Sequence, residues 1–204
     1  FHAKGEGRNR IAVFDVSIRE QVVARLRLGN ELRRALDRNE LRLAYQPIVE
    51  VSTRAIDSFE ALLRWTHPSL GIVNPADFIP IAEEWGLIVE IGNWVLRESC
   101  RQLRIWRTRY PDLEHLGISV NVSARQLADP AYAERFDRVI TETGVDPRHV
   151  HVELTESVVF GTSPEQTRAI EHLKSRGVKI HLDDFGTGYS SLSSLNIVAF
   201  DAIK

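Results

Sequence analysis

Through most of this chain, short stretches of alternating apolar and polar residues are separated by longer amphipathic ones. In Val178–Asp183, Val178, Ile180 and Leu182 alternate with Lys179, His181 and Asp183. In Gly117–Ser123, Ile118, Val120 and Val122 alternate with Ser119, Asn121 and Ser123. Val150, Val152 and Leu154 alternate with His151, Glu153 and Thr155, and Phe59, Ala61 and Leu63 with Ser58, Glu60, Leu62 and Arg64. A period of two marks a strand with one apolar and one polar face. Leu41–Val49 reads as a further strand, with Pro47 suited to an edge or bulge, and Phe200–Lys204 as the last. Strand followed by helix, repeated, implies parallel strands joined by helical crossovers.

The helices between them carry start and stop signals. Ser17–Glu20 fits a capping box, with Ile18, Val22, Leu26, Leu32 and Leu36 on one helical face and Gly29-Asn30 as a weak point. This helix reads as a connector; a coiled-coil helix is the sharper alternative, but its heptads are short and imperfect. Thr66–Asn74 reads as a loop, and Asn74-Pro75 as an N-cap with proline in the first turn. A longer helix places Ile91, Val95, Leu96, Cys100, Leu103 and Trp106 on one side. Trp94 and Trp106 are read as core residues. Asp129-Pro130 opens another helix that Gly144 ends, and Ser163–Gln166 is a second capping box, with Gly177 closing that helix. A short helix is expected at Ser190–Leu195 and a short strand at Ile11–Phe14.

Two architectures fit. In an open doubly wound sheet the central strands are apolar on both faces. Here one face of each strand is polar toward its C-terminal end, which suits a (β/α) barrel with helices outside and a site at the strand ends. The six strands read here are two short of closure, and such a barrel typically needs about 250 residues. The chain has 204, begins at Phe1 and contains no methionine. It is therefore read as a piece of something longer.

The polar strand ends carry the chemistry. Asp183 and Asp184 are adjacent and precede Gly186-Thr187-Gly188. Neighbouring carboxylates repel unless protons or cations intervene, and a hard divalent cation prefers such oxygens. Alone, the pair also reads as a polar turn. Glu60, Asn121 and Glu153 at the ends of three other strands make a constellation. Gln46, late in its strand, either faces a ligand or caps a backbone group. The Gly186–Gly188 pair is a poor dinucleotide fingerprint, because Ser191 stands where the third glycine belongs.

Composition narrows the classes. The chain is 43% hydrophobic, enough for a sizeable core, and its net charge of −2 offers no footprint for long nucleic acid. The single cysteine, Cys100, rules out an internal disulfide and suits a reducing compartment. No apolar run approaches the roughly 20 residues that span a bilayer, and no signal peptide is visible.

Glu60-Ala61-Leu62 within FEALLRW resembles the signature of the EAL domain family. YQPIV (45–49), FIPIAEE (78–84), NVS (121–123), ELTES (153–157) and DDFGTGYSSL (183–192) resemble the family's other motifs, in order and with fitting spacing. The likeness spans residues 40–204, with 17–39 as the connecting helix. Residues 1–16, beginning FHAKGEGRNR, resemble the C-terminal end of a GGDEF (diguanylate cyclase-like) domain. The resemblance implies a modified TIM-type (β/α) barrel of α/β class with its first strand antiparallel, here lacking its last two strands.

It also implies a cyclic di-GMP phosphodiesterase that uses two Mg²⁺ or Mn²⁺ ions to open the cyclic dinucleotide to linear pGpG. Glu60, Asn121, Glu153 and Asp183 would be metal ligands, with Asp184 joining the second ion. Lys204 would lie near the attacking water, Gln46, Leu62 and Arg64 would contact substrate, and Glu156 would order the loop after Asp183-Asp184. Two cations about 4 Å apart suit the chemistry, because they neutralise an anionic phosphate and help a poor alkoxide leave. A homodimer through the EAL domain, upstream GGDEF-like and sensory domains, and a cytoplasmic location with an upstream membrane anchor possible are further expectations. So is a general base beyond Lys204, which leaves this stretch catalytically incomplete by itself. The rival class is an inactive cyclic di-GMP receptor or protein-interaction module. A different divalent-metal barrel enzyme fits the periodicity but not the motif series.

Overall fold

The structure is a computed structural model that describes residues 16–156, 158, 163–186 and 200–204. The expected strand at Ile11–Phe14 and helix at Ser190–Leu195 lie outside these residues, as does the stretch read as a GGDEF remnant.

Helix α1 spans Val16–Ala35. It has already begun at Val16, so Ser17 lies within the helix and not at its cap, contrary to the capping-box reading. Gly29-Asn30 does not break it either. The Trp85 ring presses so close that a Cβ on Gly29 would lie 2.7 Å from it. The missing side chain is therefore a contact, and the helix continues until Leu32 and Ala35 join the core.

Strand β1 (Leu41–Val49) pairs antiparallel with β2 (Ile56–His67), with a register irregularity at Ile48/Val49. It ends the path of the sheet, where Pro47 costs no inner ladder bond. The stretch expected as a loop after β2 contains a hairpin: β2 continues to His67 and pairs with β3 (Gly71–Val73). The His67 Nδ1 atom holds this turn by accepting from the amides of Ser69 and Leu70, and Gly71 takes a left-handed φ of 71°.

Helix α2 (Pro75–Trp85) starts as expected, with the Asn74 side chain accepting from the Ala76 amide. Left-handed Gly86 separates it from α3 (Ile88–Arg109). Trp94 and Trp106 pack half-buried against the core, Trp106 edge-on to Tyr45 with centroids 4.8 Å apart. Strand β4 (Gly117–Asn121) leads into the short α4 (Ala124–Leu127), capped by Ser123. Helix α5 (Tyr132–Thr143) opens later than Asp129-Pro130 implied. The Asp129 carboxylate instead holds a turn by accepting from the Ala131 amide. Gly144 ends the helix as expected. Strand β5 (Val150–Thr155), helix α6 (Pro164–Ser175) with its Ser163 cap, β6 (Lys179–Asp183) and β7 (Ala202–Ile203) complete the order.

The strands run β1-β2-β4-β5-β6-β7, with β3 beside β2, and every neighbour pair from β2–β4 to β6–β7 is parallel. The sheet does not close on itself. Ile118, Val150, Val152, Leu154, Ile180 and Leu182 are fully buried and form the apolar face of β4, β5 and β6. The other face carries Glu60, Ser119, Asn121, His151, Glu153, His181 and Asp183. This sidedness is the barrel pattern, with the first strand antiparallel as expected.

Candidate active site

The inner faces of β2, β4 and β5 bring three of the expected residues together. Register places Glu60 opposite Ser119, and Asn121 opposite Glu153. The Asn121 Nδ2 donates to Glu60 Oε1 at 2.9 Å. Lys204 follows β7, and its Nζ bonds Glu153 Oε1 and reaches Glu60 Oε2 at 3.4 Å. One ammonium thus stands between two carboxylates from different strands.

Burial decides the electrostatics. The Glu153 side chain is 0% exposed. Burial pushes its pKa up, the nearby Glu60 charge adds to this, and Lys204 and the Ser119 hydroxyl oppose it. Its Oε2 is buried with no well-formed hydrogen bond among the described residues. Burial works against the Lys204 ammonium, but Glu153 and Glu60 outweigh it and raise its pKa.

Asp183 lies half-buried at the end of β6, opposite Thr155. Asp184 adopts a left-handed φ of 57°, a conformation that costs most non-glycine residues energy and that Asp tolerates better than most. The turn is tied down from two sides. The Phe185 amide donates to the Lys204 carbonyl at 3.2 Å, and the Gly186 amide donates to Glu156 Oε2 at 3.2 Å. Glu156 is buried below this turn.

The expected substrate contacts are more spread out. Gln46 is exposed on β1, opposite Glu60. Leu62 and Arg64 line a cleft of about 440 Å³ that also touches Asn121, Glu153 and Thr155. Arg64 Nη1 donates to the carbonyl of Leu63 at 2.9 Å.

Among the described residues, no three Asp, Glu, His or Cys side chains converge as a metal cage. Glu60 and Glu153 share the Lys204 ammonium. The donor set nevertheless fits a hard divalent cation: two carboxylates and an amide, all oxygen donors, with Glu153 Oε2 buried and unsatisfied.

Three groups beneath these side chains were missed from sequence. Ser119, His151 and His181 are buried on the same inner face. The two imidazole rings lie 4.8 Å apart. The signal was present, since each shares the parity of Asn121, Glu153 or Asp183 along its strand.

A sheet with one antiparallel edge strand, outer helices, and carboxylates, amide and lysine gathered at the parallel strand ends defines a barrel-type α/β site. The chain belongs to the EAL domain family, whose sequence profile matches residues 29–204. It is 40% identical over its whole length to the bifunctional diguanylate cyclase/cyclic di-GMP phosphodiesterase MucR of Pseudomonas aeruginosa, and 40% identical to the cyclic di-GMP phosphodiesterase PdeR of Escherichia coli. It spans 30% of the length of each. The solved structure of the MucR phosphodiesterase in complex with c-di-GMP superposes with a TM-score of 0.80 at 40% identity, covering 87% of this chain and 71% of that one. The EAL enzyme Bd1971, with cAMP and cyclic di-GMP bound, gives 0.82 at 28% identity, covering 89% of this chain and 50% of the other. Among the described residues, no helix is long and apolar enough to cross a membrane.

Proposed function

We propose that this domain is a cyclic di-GMP phosphodiesterase of bacterial second-messenger signalling, hydrolysing one phosphodiester of the ring to give linear pGpG. The observation that carries this reading is that Glu60 and Glu153 share the Lys204 ammonium while Asn121 bonds Glu60, with one Glu153 oxygen buried and without a well-formed hydrogen bond. The named activities of MucR and PdeR support it.

Glu60, Asn121, Glu153 and Asp183 would hold Mg²⁺ or Mn²⁺, with Asp184 at a second ion. The bound ions supply Lewis acidity at the phosphate and acidify the attacking water. Lys204 reaches both Glu153 and Glu60 and so stands beside the place of that water. Its part is to orient the water and to offset negative charge as the bond to phosphorus forms. Arg64 offers a planar fork matched to a phosphate, and Leu62 and Gln46 flank the dinucleotide. Glu156 fixes the Asp183–Gly186 turn through the Gly186 amide. A homodimer through this domain, a GGDEF-like neighbour upstream and a cytoplasmic setting accompany this reading.

The test uses protein expressed with everything its gene encodes on either side of Phe1–Lys204. It is incubated with cyclic di-GMP and Mn²⁺, and the nucleotides are resolved by chromatography. Linear pGpG is expected, lost without metal and reduced at least about a hundredfold in Glu60→Ala, the upper end of what losing even an outer partner of a metal ligand costs. Saturable binding of intact cyclic di-GMP with no product would make the domain a receptor.

A further inference from the structure

The helices that follow β4 and β5 open with the same chemistry. In α4, Gln126 Oε1 accepts from the Ser123 amide at 3.1 Å while the Gln126 amide donates to Ser123 Oγ at 3.3 Å. In α6, Gln166 Oε1 accepts from the Ser163 amide at 2.6 Å while the Gln166 amide donates to Ser163 Oγ. Both are reciprocal capping boxes, and a glutamate would serve each as well as a glutamine.

Gln166 does something a capping residue need not do. Its Nε2 donates to the carbonyl of Ala124 at 2.8 Å, 42 residues away. Gln166 is buried, so this bond is shielded from competing water. Ala124 is the first residue of α4, three positions after Asn121. The backbone between them is tied to the neighbouring strand, because the Val122 amide donates to the Glu153 carbonyl at 3.0 Å. Gln126 is wedged against α3, where a Cβ on Gly92 would lie 2.0 Å from its Nε2. The turn that carries Asn121 is therefore fixed on three sides: by β5, by α3 and, through Gln166, by α6.

We infer that Gln166 is a positioning residue for the metal site: its side-chain amide braces the start of α6 against the turn after Asn121. This rests on the metal-binding reading above. The physical argument is that an amide has both an acceptor and a donor end. The acceptor end caps α6, and the donor end crosses to α4. Groups that support metal ligands from outside the coordination sphere typically change metal affinity when removed.

Gln166→Glu separates the two roles. Its carboxylate still caps α6 and suits the positive end of the helix, but it has no N–H for Ala124 and repels that carbonyl. Ser163→Ala does the reverse: it removes the capping hydroxyl and keeps the backbone amide and the brace. Mn²⁺ affinity without nucleotide is measured by calorimetry, beside the melting temperature in chelator, on protein with its natural flanking sequence.

Gln166→Glu is expected to bind Mn²⁺ about tenfold more weakly and to melt lower as well, because its buried carboxylate faces a carbonyl. Ser163→Ala should melt a few degrees lower with native affinity. Native affinity in Gln166→Glu, or losses in both variants that track melting temperature, would overturn the brace alone. A native protein that binds no Mn²⁺ would overturn the metal reading and the brace with it.

Discussion

His151 pays most visibly for its position. Burial first, then the facing His181 ring, push its pKa down to about 3 from an ordinary 6.5. The folded state thus holds the ring neutral, while the unfolded chain binds a proton below about pH 6.5. Because the unfolded state binds more protons in between, stability is fully present above pH 6.5 and falls as pH drops toward 3. Replacing His151 by Gln removes one such group. In chelator, the slope of unfolding free energy against pH between about pH 4 and 6 should become shallower by about 1.4 kcal/mol per pH unit. Urea denaturation across that range reads it directly, and an unchanged slope would show that the ring titrates normally. The parity of His151 was legible in the alternating pattern. Its depressed pKa was not, because both the burial and the facing His181 ring arise only once the strands pair and pack.

Helix α1 shows how far local signals reach. Its periodicity was readable, and its continuation past Gly29 was not. A glycine inside a helix normally costs about 1 kcal/mol relative to alanine, so Gly29→Ala looks stabilising in isolation. Against the Trp85 ring the sign reverses. The added Cβ meets a rigid indole at 2.7 Å and must displace it, and overpacking of this kind costs about 1–3 kcal/mol. The Arg25–Glu84 ion pair beside it is largely exposed and offsets little. The variant is expected to be less stable than the native chain by denaturation, with altered tryptophan fluorescence. Equal or greater stability would mean that α1 and α2 slide apart freely. The β3 hairpin escaped sequence reading for a similar reason. Leu70 and Ile72 are exposed, so no buried pattern marks the strand, and the turn depends on His67 accepting two backbone amides.

For the molecule as a whole, binding and stability are linked. The site gathers two acidic side chains, one of them fully buried, and any cation that binds only the folded state adds stability by mass action. At Mn²⁺ a hundredfold above its dissociation constant this is about 2.7 kcal/mol. Native protein should melt several degrees higher in excess Mn²⁺, and Glu153→Ala should show no shift. A shift of equal size in both would place the binding elsewhere. The barrel architecture was legible because its signal is statistical and repeated: apolar residues on one face of every strand, polar ones at the ends. The choice of barrel over open sheet came from that sidedness alone.

Taken by itself, the order of residues determined the helix and strand alternation, the glycine stops at Gly144 and Gly177, the Ser163–Gln166 cap, and the parity that aims Glu60, Asn121, Glu153 and Asp183 to one side. These depend on neighbours a few positions apart, where backbone geometry fixes the outcome. Tertiary structure alone decided which of them meet. Lys204 reaches Glu60 across 144 positions, and Gln166 reaches Ala124 across 42. Such distances are set by strand order and helix packing. The energies they control, a buried carboxylate's pKa or an amide's second bond, follow from the surroundings and not from the residue.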